Sequence, residues 1–424
     1  MEQKNIVATI YIKDGKAVRT RSDFSNPRNA VDLALSYNDS GVDKIFLVDL
    51  SEDESEHLKN LTIIRNINRL IDVKTAGAGN IKRLDDVKLF LYAGCREVIL
   101  NGGKSETLCL VKEAAERFGK DKILVSVDNV NFAFKTRSYI KDCVHELVLM
   151  TPELATAIEN ITSTPYILRQ DQYDLDKITE LLSSESIRGI YGIFIDEDDT
   201  DIMKLKSTLS DQGILMDNFE PKLHWSDLKT NSDGLVPVIA QDYQTGFVYM
   251  LAYMNEEAFN TTIRIGKMTY WSRSRKELWT KGLTSGHIQY VKSLTADCDY
   301  DTILAKISQV GGIACHTGAP SCFFNNIIQK EYVDRAPQKI FENTLKEIIS
   351  ERNTDSSVKE KFDIGMDSIL SKIGEEAAEV IIAGKDSNKQ EIIHEITDLI
   401  YNLMFLMSDN EITWDDITTE LATR

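Results

Sequence analysis

The 424-residue chain has no apolar run near the roughly 20 residues that crossing a bilayer requires. Its longest are strand-like pieces such as KIFLVDL and HELVLM, so no membrane helix is expected. Positive charge is short as well. The 49 Lys and Arg against 67 Asp and Glu leave a net charge of −18. General nucleic-acid binding and attraction to anionic membranes both need a basic surface, so neither is expected. A nucleotide substrate stays open, because a few local cations or metal ions suffice to hold one. The first residues, MEQKNIVATIYIKDG, are too polar for a secretory signal, and the expected location is the cytoplasm. Cysteine is scarce, six in all, and in a cytosolic chain of this size six do not make a disulfide framework. Cys95, Cys109 and Cys143 sit in apolar or strand-like text and are expected to be buried small hydrophobes. Cys298, Cys315 and Cys322 lie closer together, among unusual neighbours.

What is present suggests three domains, at one per roughly 100–200 residues. Residues 1–216 alternate short apolar runs with amphipathic stretches such as ETLCLVKEAAERFGK. The runs include NIVATIYI, KIFLVDL, KILVSVDN and PYILRQD, and eight such βα units suggest a closed parallel barrel. A doubly wound open sheet is the alternative. The polar stretch DNFEPKLHWSDLKTNSDG comes next. Residues 217–328 then read as a β-rich, mixed α+β domain with antiparallel strands. A junction near QKEYVDRAPQ opens residues 329–424, an all-α module with apolar residues at i, i+3, i+4 and i+7. Gly384 sits where one of its helices would stop. A module this small favours pairing with a second copy.

The chemistry concentrates in two places. In TADCDYDTI, Asp297, Asp299 and Asp301 occupy every second position. On a strand they would share one face, with Cys298 on the other. Three carboxylates together need a cation, and all-oxygen ligation suits Mg²⁺. The same pattern also suits a solvated turn. Cys298, Cys315 and Cys322 could hold Zn²⁺ and leave a fourth position for water, whose pKa zinc lowers to about 7. Upstream, YWSRSRKELWTKGLTSGH places Arg273, Arg275, Lys281 and His287 near two tryptophans. Cations there suit a phosphorylated substrate, or simply the wet face of a strand.

GLVPVIAQD, MLAYMNEEA, YWSRSRKELWTKGLTSGH, DCDYD and CHTGAPSCF stand in the order found in phosphoribosyl-AMP cyclohydrolases, and the segment 225–326 resembles that family. The resemblance implies hydrolytic opening of the adenine ring of phosphoribosyl-AMP, in histidine biosynthesis. It implies Mg²⁺ on Asp297, Asp299 and Asp301, and Zn²⁺ on Cys298, Cys315 and Cys322. Cys298 would come from the partner subunit, which makes a homodimer with shared zinc sites. His287 or His316 would carry protons, and Arg273, Arg275 and Lys281 are candidates for phosphate contacts.

The C-terminal helices carry KIGEEAAEV, with Glu376 and Glu379 at i, i+3 beside Glu375, and HEITDL, with Glu395 and Asp398. Each pair faces one way on its helix. Two such helices side by side would point four carboxylates at one spot, fit for metal-bridged diphosphate; Glu-rich faces are otherwise simply solvated. MDSILSKIGEEAAEV with EITDLIYNLMFLM resembles phosphoribosyl-ATP pyrophosphohydrolase over residues 339–424. That resemblance implies Mg²⁺-assisted release of pyrophosphate from phosphoribosyl-ATP, with Lys372 as a candidate phosphate contact.

IYIKDGKAVRT, GVDKIFLVDLS and KILVSVDN resemble the histidine-pathway (βα)₈ barrels. Those use an aspartate after strand 1 and another after strand 5 as acid and base. The second is matched by Asp128, but the first is Tyr11, which cannot replace a carboxylate near neutrality. AGAGN (76–80) and NGG (101–103) could still cradle one phosphate, whereas FIDEDDTD would repel it. The reading is a bifunctional enzyme with a non-catalytic barrel in front. The alternatives are a barrel that still isomerises the product and a barrel that only senses a pathway ligand.

Overall fold

Short runs of Val, Ile, Leu and Ala buried on both faces make the first sheet, as parallel strands between helices require. The computed structural model describes residues 2–104, 107–197, 200–330, 336–354, 357–386 and 388–422. They separate into two units, Met1–Asn326 and Ile327–Arg424.

In the first unit, β1 (Asn5–Lys13) turns back on β2 (Lys16–Val18). The parallel strands β3 (Lys44–Asp49), β4 (Lys74–Ala78), β5 (Glu97–Asn101), β6 (Ile123–Val127), β7 (Glu146–Leu149), β8 (Tyr166–Arg169) and β9 (Ile187–Tyr191) come after it in that order. β1 pairs with both β3 and β9, so the sheet closes into an eight-stranded parallel barrel and the open-sheet alternative falls away. Val7, Phe46, Val48, Leu124, Ile167 and Tyr191 fill the barrel. Ile6, Ala8, Ile10 and their equivalents face the helices outside. The β1–β2 hairpin went unforeseen, because three residues carry no period.

At the end of the barrel where strands begin, Lys44 Nζ lies 2.7 Å from Glu97 and 3.1 Å from Glu146, all three side chains buried. Burial works against the ammonium, but the two carboxylates prevail and hold its pKa above the usual range. Lys44→Met would leave two buried carboxylates without a counter-charge. We expect it to destabilise the barrel by about 3–5 kcal/mol, read as a lower urea midpoint for loss of barrel ellipticity. An unchanged midpoint would mean that water already reaches the cluster.

A segment with one short turn, Trp225–Asp227, joins the barrel to a second sheet. Its strands are β10 (Val236–Asp242), β11 (Val248–Met254), β14 (Gln289–Ala296) and β15 (Ile303–Gln309), in the order β11-β10-β15-β14. β10 and β15 run parallel and the other pairs antiparallel. A separate hairpin joins β12 (Thr269–Ser272) to β13 (Glu277–Thr280). The helix Glu256–Ile265 packs on the sheet through Ala258 and Phe259, capped by Asn255 and ended by Gly266 in a left-handed conformation.

The second unit is helical: Pro337–Glu351, Ser357–Ile364, Met366–Asp386, Lys389–Asp409 and Trp414–Ala422. Leu345, Ile348, Ile369, Met404 and Phe405 form its core. Gly384 does not end its helix, which runs on to Asp386. A glycine costs a helix interior only about 1 kcal/mol, and packing overrides it. The junction around residues 331–335 lies outside the described residues. Among the described residues, no helix is long and apolar enough to cross a membrane.

Candidate functional site

Asp297, Asp299 and Asp301 are not on a strand. β14 ends at Ala296 and β15 starts at Ile303, so the three aspartates form the turn between them. The alternating pattern suggested a strand, but a turn needs polar groups that bond their own backbone. Asp297 does so: its Oδ1 accepts from the amides of Asp301 (3.0 Å) and Thr302 (3.1 Å). Tyr300 takes a left-handed φ of 65° to complete the turn. Some desolvation acts the other way, yet these amides hold the Asp297 carboxyl below its usual range. One carboxylate oxygen from each aspartate comes within 4.8 Å of the others, all exposed. An exposed all-oxygen set of this kind fits a hard divalent cation.

Cys298 does not point away from the carboxylates, as a strand would require. It is exposed in the same turn, with Sγ 3.9 Å from Asp299 Oδ1. Cys315 and Cys322 meet instead beside the edge strand β11, where the Cys322 amide donates to Tyr249 O at 2.8 Å. Thr317 Oγ1 donates to Cys315 Sγ at 3.1 Å. This hydroxyl, then the Thr317 amide, holds the Cys315 thiol below the usual range, while partial desolvation of the sulfur and then its hydrogen bond to Cys315 push Cys322, exposed as a residue, up. A thiol pair with one member biased toward thiolate fits zinc. Among the described residues, no third cysteine joins the pair within 4.8 Å, so Cys298 of the same chain is not brought to it.

Lys281 is not a surface cation. It is buried, its Nζ 5.9 Å from the centre of the Trp279 ring, and it interacts electrostatically with Cys322 and Cys315. Burial lowers its pKa. Arg273 stacks over Tyr253 at 4.0 Å, and Arg275 pairs with Glu277 at 3.1 Å; both are exposed at the β12–β13 turn. His287 Nδ1 faces the carbonyl oxygen of Val310 at 3.3 Å, to which it can only donate; in the neutral tautomer this leaves Nε2 to accept. Gly311, at φ 72°, makes room, since a Cβ there would come 2.8 Å from that ring nitrogen. His316 is exposed beside Cys315, with Nδ1 3.9 Å from its Sγ. The packing of His287 under Gly311 was missed in the sequence, although GG after a strand is a turn signal.

In the helical unit, three carboxylates converge rather than four. Glu376, Glu395 and Asp398 offer oxygens within 4.8 Å of one another, and Glu376 is only 7% exposed. Glu379 is exposed and outside that group. Glu375 binds Lys372 at 2.9 Å, and the same ammonium lies 3.7 Å from Glu376. The Glu375 hydrogen bond leads the effects that raise the Lys372 pKa.

At the barrel mouth, Tyr11, Arg21, Asn80 and Lys104 line a cavity of about 260 Å³, below the ~300–1,000 Å³ usual for small-molecule sites. The amides expected to cradle a phosphate are in use: Gly102 N donates to Ser126 O (2.9 Å) and Gly103 N to Asn101 Oδ1 (2.9 Å). Gly79 packs against the Asp49 backbone. Asp128 stands exposed after β6, bonded to Asn129. Of the acidic run, Asp196 is tied to Arg28 and to Tyr37 Oη (2.8 Å); residues 198–199 lie outside the described residues. Of the three upstream cysteines, Cys95 and Cys143 are buried, but Cys109 is exposed, because it falls on the outer face of its helix.

Three family models match the chain: Histidine biosynthesis protein at residues 5–168, Phosphoribosyl-AMP cyclohydrolase at 250–324 and Phosphoribosyl-ATP pyrophosphohydrolase at 339–424. Among curated relatives, the Histidine biosynthesis bifunctional protein HisIE of Thermoanaerobacter pseudethanolicus (strain ATCC 33223 / 39E) is 43% identical over 210 residues, 46% of this chain and 97% of the relative. The protein of the same name from Lactococcus lactis subsp. lactis (strain IL1403) is 44% identical over 193 residues, 45% of this chain and 88% of the relative.

Proposed function

Since the chain belongs to the family of the histidine biosynthesis bifunctional protein HisIE and is a hydrolase of both matched kinds, we propose that it works on one substrate twice. The helical unit, residues 329–424, releases pyrophosphate from phosphoribosyl-ATP. The β-rich domain, residues 217–328, then opens the adenine ring of the phosphoribosyl-AMP so formed, and the barrel, residues 1–216, does no chemistry. The location is the cytoplasm. The observation that carries the reading is that carboxylates gather within each of two groups, Asp297–Asp299–Asp301 in the β-rich domain, with a thiol pair, and Glu376–Glu395–Asp398 in the helical unit.

Glu376, Glu395 and Asp398 would hold Mg²⁺ over the diphosphate, with Glu375, Glu379 and Lys372 at its edge. Asp297, Asp299 and Asp301 would hold a second Mg²⁺. Cys315 and Cys322 would hold Zn²⁺, joined by Cys298 of a second copy, in a homodimer. Exposed isoleucines on the long helices, such as Ile381 and Ile393, support association of copies. Zinc, when bound, supplies an acidified water. His287 Nε2 or His316 would take that water's proton as it adds to the purine carbon next to N1, and return a proton to N1 as the carbon–N1 bond breaks. Arg273, Arg275 and Lys281 would bias the site toward an anionic substrate. Tyr11 in place of a carboxylate supports a silent barrel, and the occupied amides of Gly102 and Gly103 speak against a phosphate sensor.

The test is a coupled assay on metal-replete full-length protein given phosphoribosyl-ATP, monitoring pyrophosphate and ring-opened product. Both should form. After chelation, Mg²⁺ alone should restore only pyrophosphate release, and Zn²⁺ with Mg²⁺ should restore both. If neither product forms, the clusters are vestigial. If the ring-opened product is further isomerised, the barrel is a third enzyme.

A further inference from the structure

The strand that leads into the acidic turn is irregular. On β14, Val291 pairs with Ile307 and Ser293 with Lys306, so Lys292 is an extra residue with no partner on β15. This is a β-bulge, a device that shifts register and re-aims the downstream side chains of its strand. Its side chain is held by the barrel. Lys292 Nζ lies 2.8 Å from Asp39 Oδ1, in the last turn of the barrel helix Ala30–Ser40, and 5.2 Å over the Tyr243 ring. The other oxygen of Asp39 accepts from Ser308 Oγ on β15 at 2.6 Å. A single carboxylate, 12% exposed, thus clasps both strands of the hairpin at its bulge. A second clasp sits at the strand's start. Lys267, bridged to Tyr290, reaches Asp201, the N-cap of the barrel helix Ile202–Asp211, at 2.7 Å.

Beyond the bulge the pairing is regular from Ser293↔Lys306 to Ala296↔Ile303, the pair that closes the acidic turn. A slip of one residue would flip every side chain in between. It would also change the turn by one residue and separate Asp297 Oδ1 from the amides of Asp301 and Thr302. We propose that the silent barrel is a register clamp for the cyclohydrolase: Asp39 is a positioning residue that holds the Lys292 bulge and so aligns the three aspartates of the turn. This rests on the reading of that turn as the Mg²⁺ site for ring opening.

The experiment uses full-length protein supplied with phosphoribosyl-AMP, titrated with Mg²⁺. Pyrophosphate release from phosphoribosyl-ATP serves as the internal control. Asp39→Ala should raise the half-activating Mg²⁺ concentration for ring opening by about 10–100-fold, as loss of outer support does at metal sites, and should weaken Mg²⁺ binding measured directly by calorimetry on a Glu376→Gln background by the same factor. Pyrophosphate release should stay within about twofold. Lys292→Met should do the same, and the double variant should be no worse than either, since both remove one interaction. Asp39→Glu should recover most of the Mg²⁺ response. Ser308→Ala, a milder change, should give a smaller shift and covers the case in which Asp39→Ala fails to fold. Unchanged Mg²⁺ dependence in Asp39→Ala and Ser308→Ala overturns the clamp. So does a proportional loss of both activities, which marks general unfolding. If Asp299→Asn leaves ring opening unaltered, the reading of the turn fails instead, whatever Asp39 does.

Discussion

Cys315→Ala should lower ring opening of phosphoribosyl-AMP by more than about 100-fold, because even outer-shell changes at metal sites cost 10–100-fold. Pyrophosphate release should be untouched. Cys315 is buried, and its sulfur accepts from Thr317, which holds the thiol below its usual range. A serine would fill the space but offers zinc a poor ligand, so Cys315→Ser should fail as badly. Thr317→Ala removes the support and keeps the sulfur, and should cost about tenfold. Bound zinc measured on the same samples gives a readout independent of turnover. It should fall by about half or more for Cys315→Ala and little for Thr317→Ala. Full zinc content with no ring opening would move Cys315 from ligand to some other task.

The sequence carried the barrel well and the acidic turn badly, for one physical reason. A parallel strand buried on both faces announces itself as a run such as KIFLVD, all six of whose residues are buried. The pathway from that run to its neighbours is then nearly forced. Alternation in DCDYD carries two meanings, a pleated strand or a loop bonding its own amides, and only the partner of Asp297 decides between them. In the same way, nothing in NDSGVDK marks Asp39 as the group that reaches Lys292, 253 positions away. Long-range polar contacts leave no period in a sequence. The thiol pair lies between these extremes: the residue types were legible, and it was the resemblance, not the spacing, that implied Cys298 from a second copy and so left Cys315 and Cys322 together in one chain. For the helical unit the i, i+3 spacing found the cluster. It could not tell which oxygens turn inward, and Glu379 stayed outside.

Glu376→Gln should abolish pyrophosphate release, by about 100-fold or more on the same outer-shell comparison, and leave ring opening of supplied phosphoribosyl-AMP intact. Glu376 is the most buried carboxylate of its cluster, yet it shares one ammonium, that of Lys372, with Glu375. Lys372 stands beside Glu376 and His394 Nε2 lies 3.5 Å from Asp398, yet the three clustered carboxylates repel one another until a divalent ion arrives. Removing one charge while keeping the side-chain shape therefore has two opposite consequences. The metal-free variant should melt at the same or a higher temperature than the parent, since repulsion is relieved. The gain in melting temperature that Mg²⁺ gives the parent should shrink, because a weaker site contributes less binding free energy. Glu379→Gln, exposed and one turn along the helix, should lower pyrophosphate release less than Glu376→Gln does. A Glu376→Gln protein that keeps both its Mg²⁺-dependent melting shift and its pyrophosphate release would show that the inward cluster is a structural coincidence. The diphosphate would then have to be hydrolysed elsewhere on the helical unit.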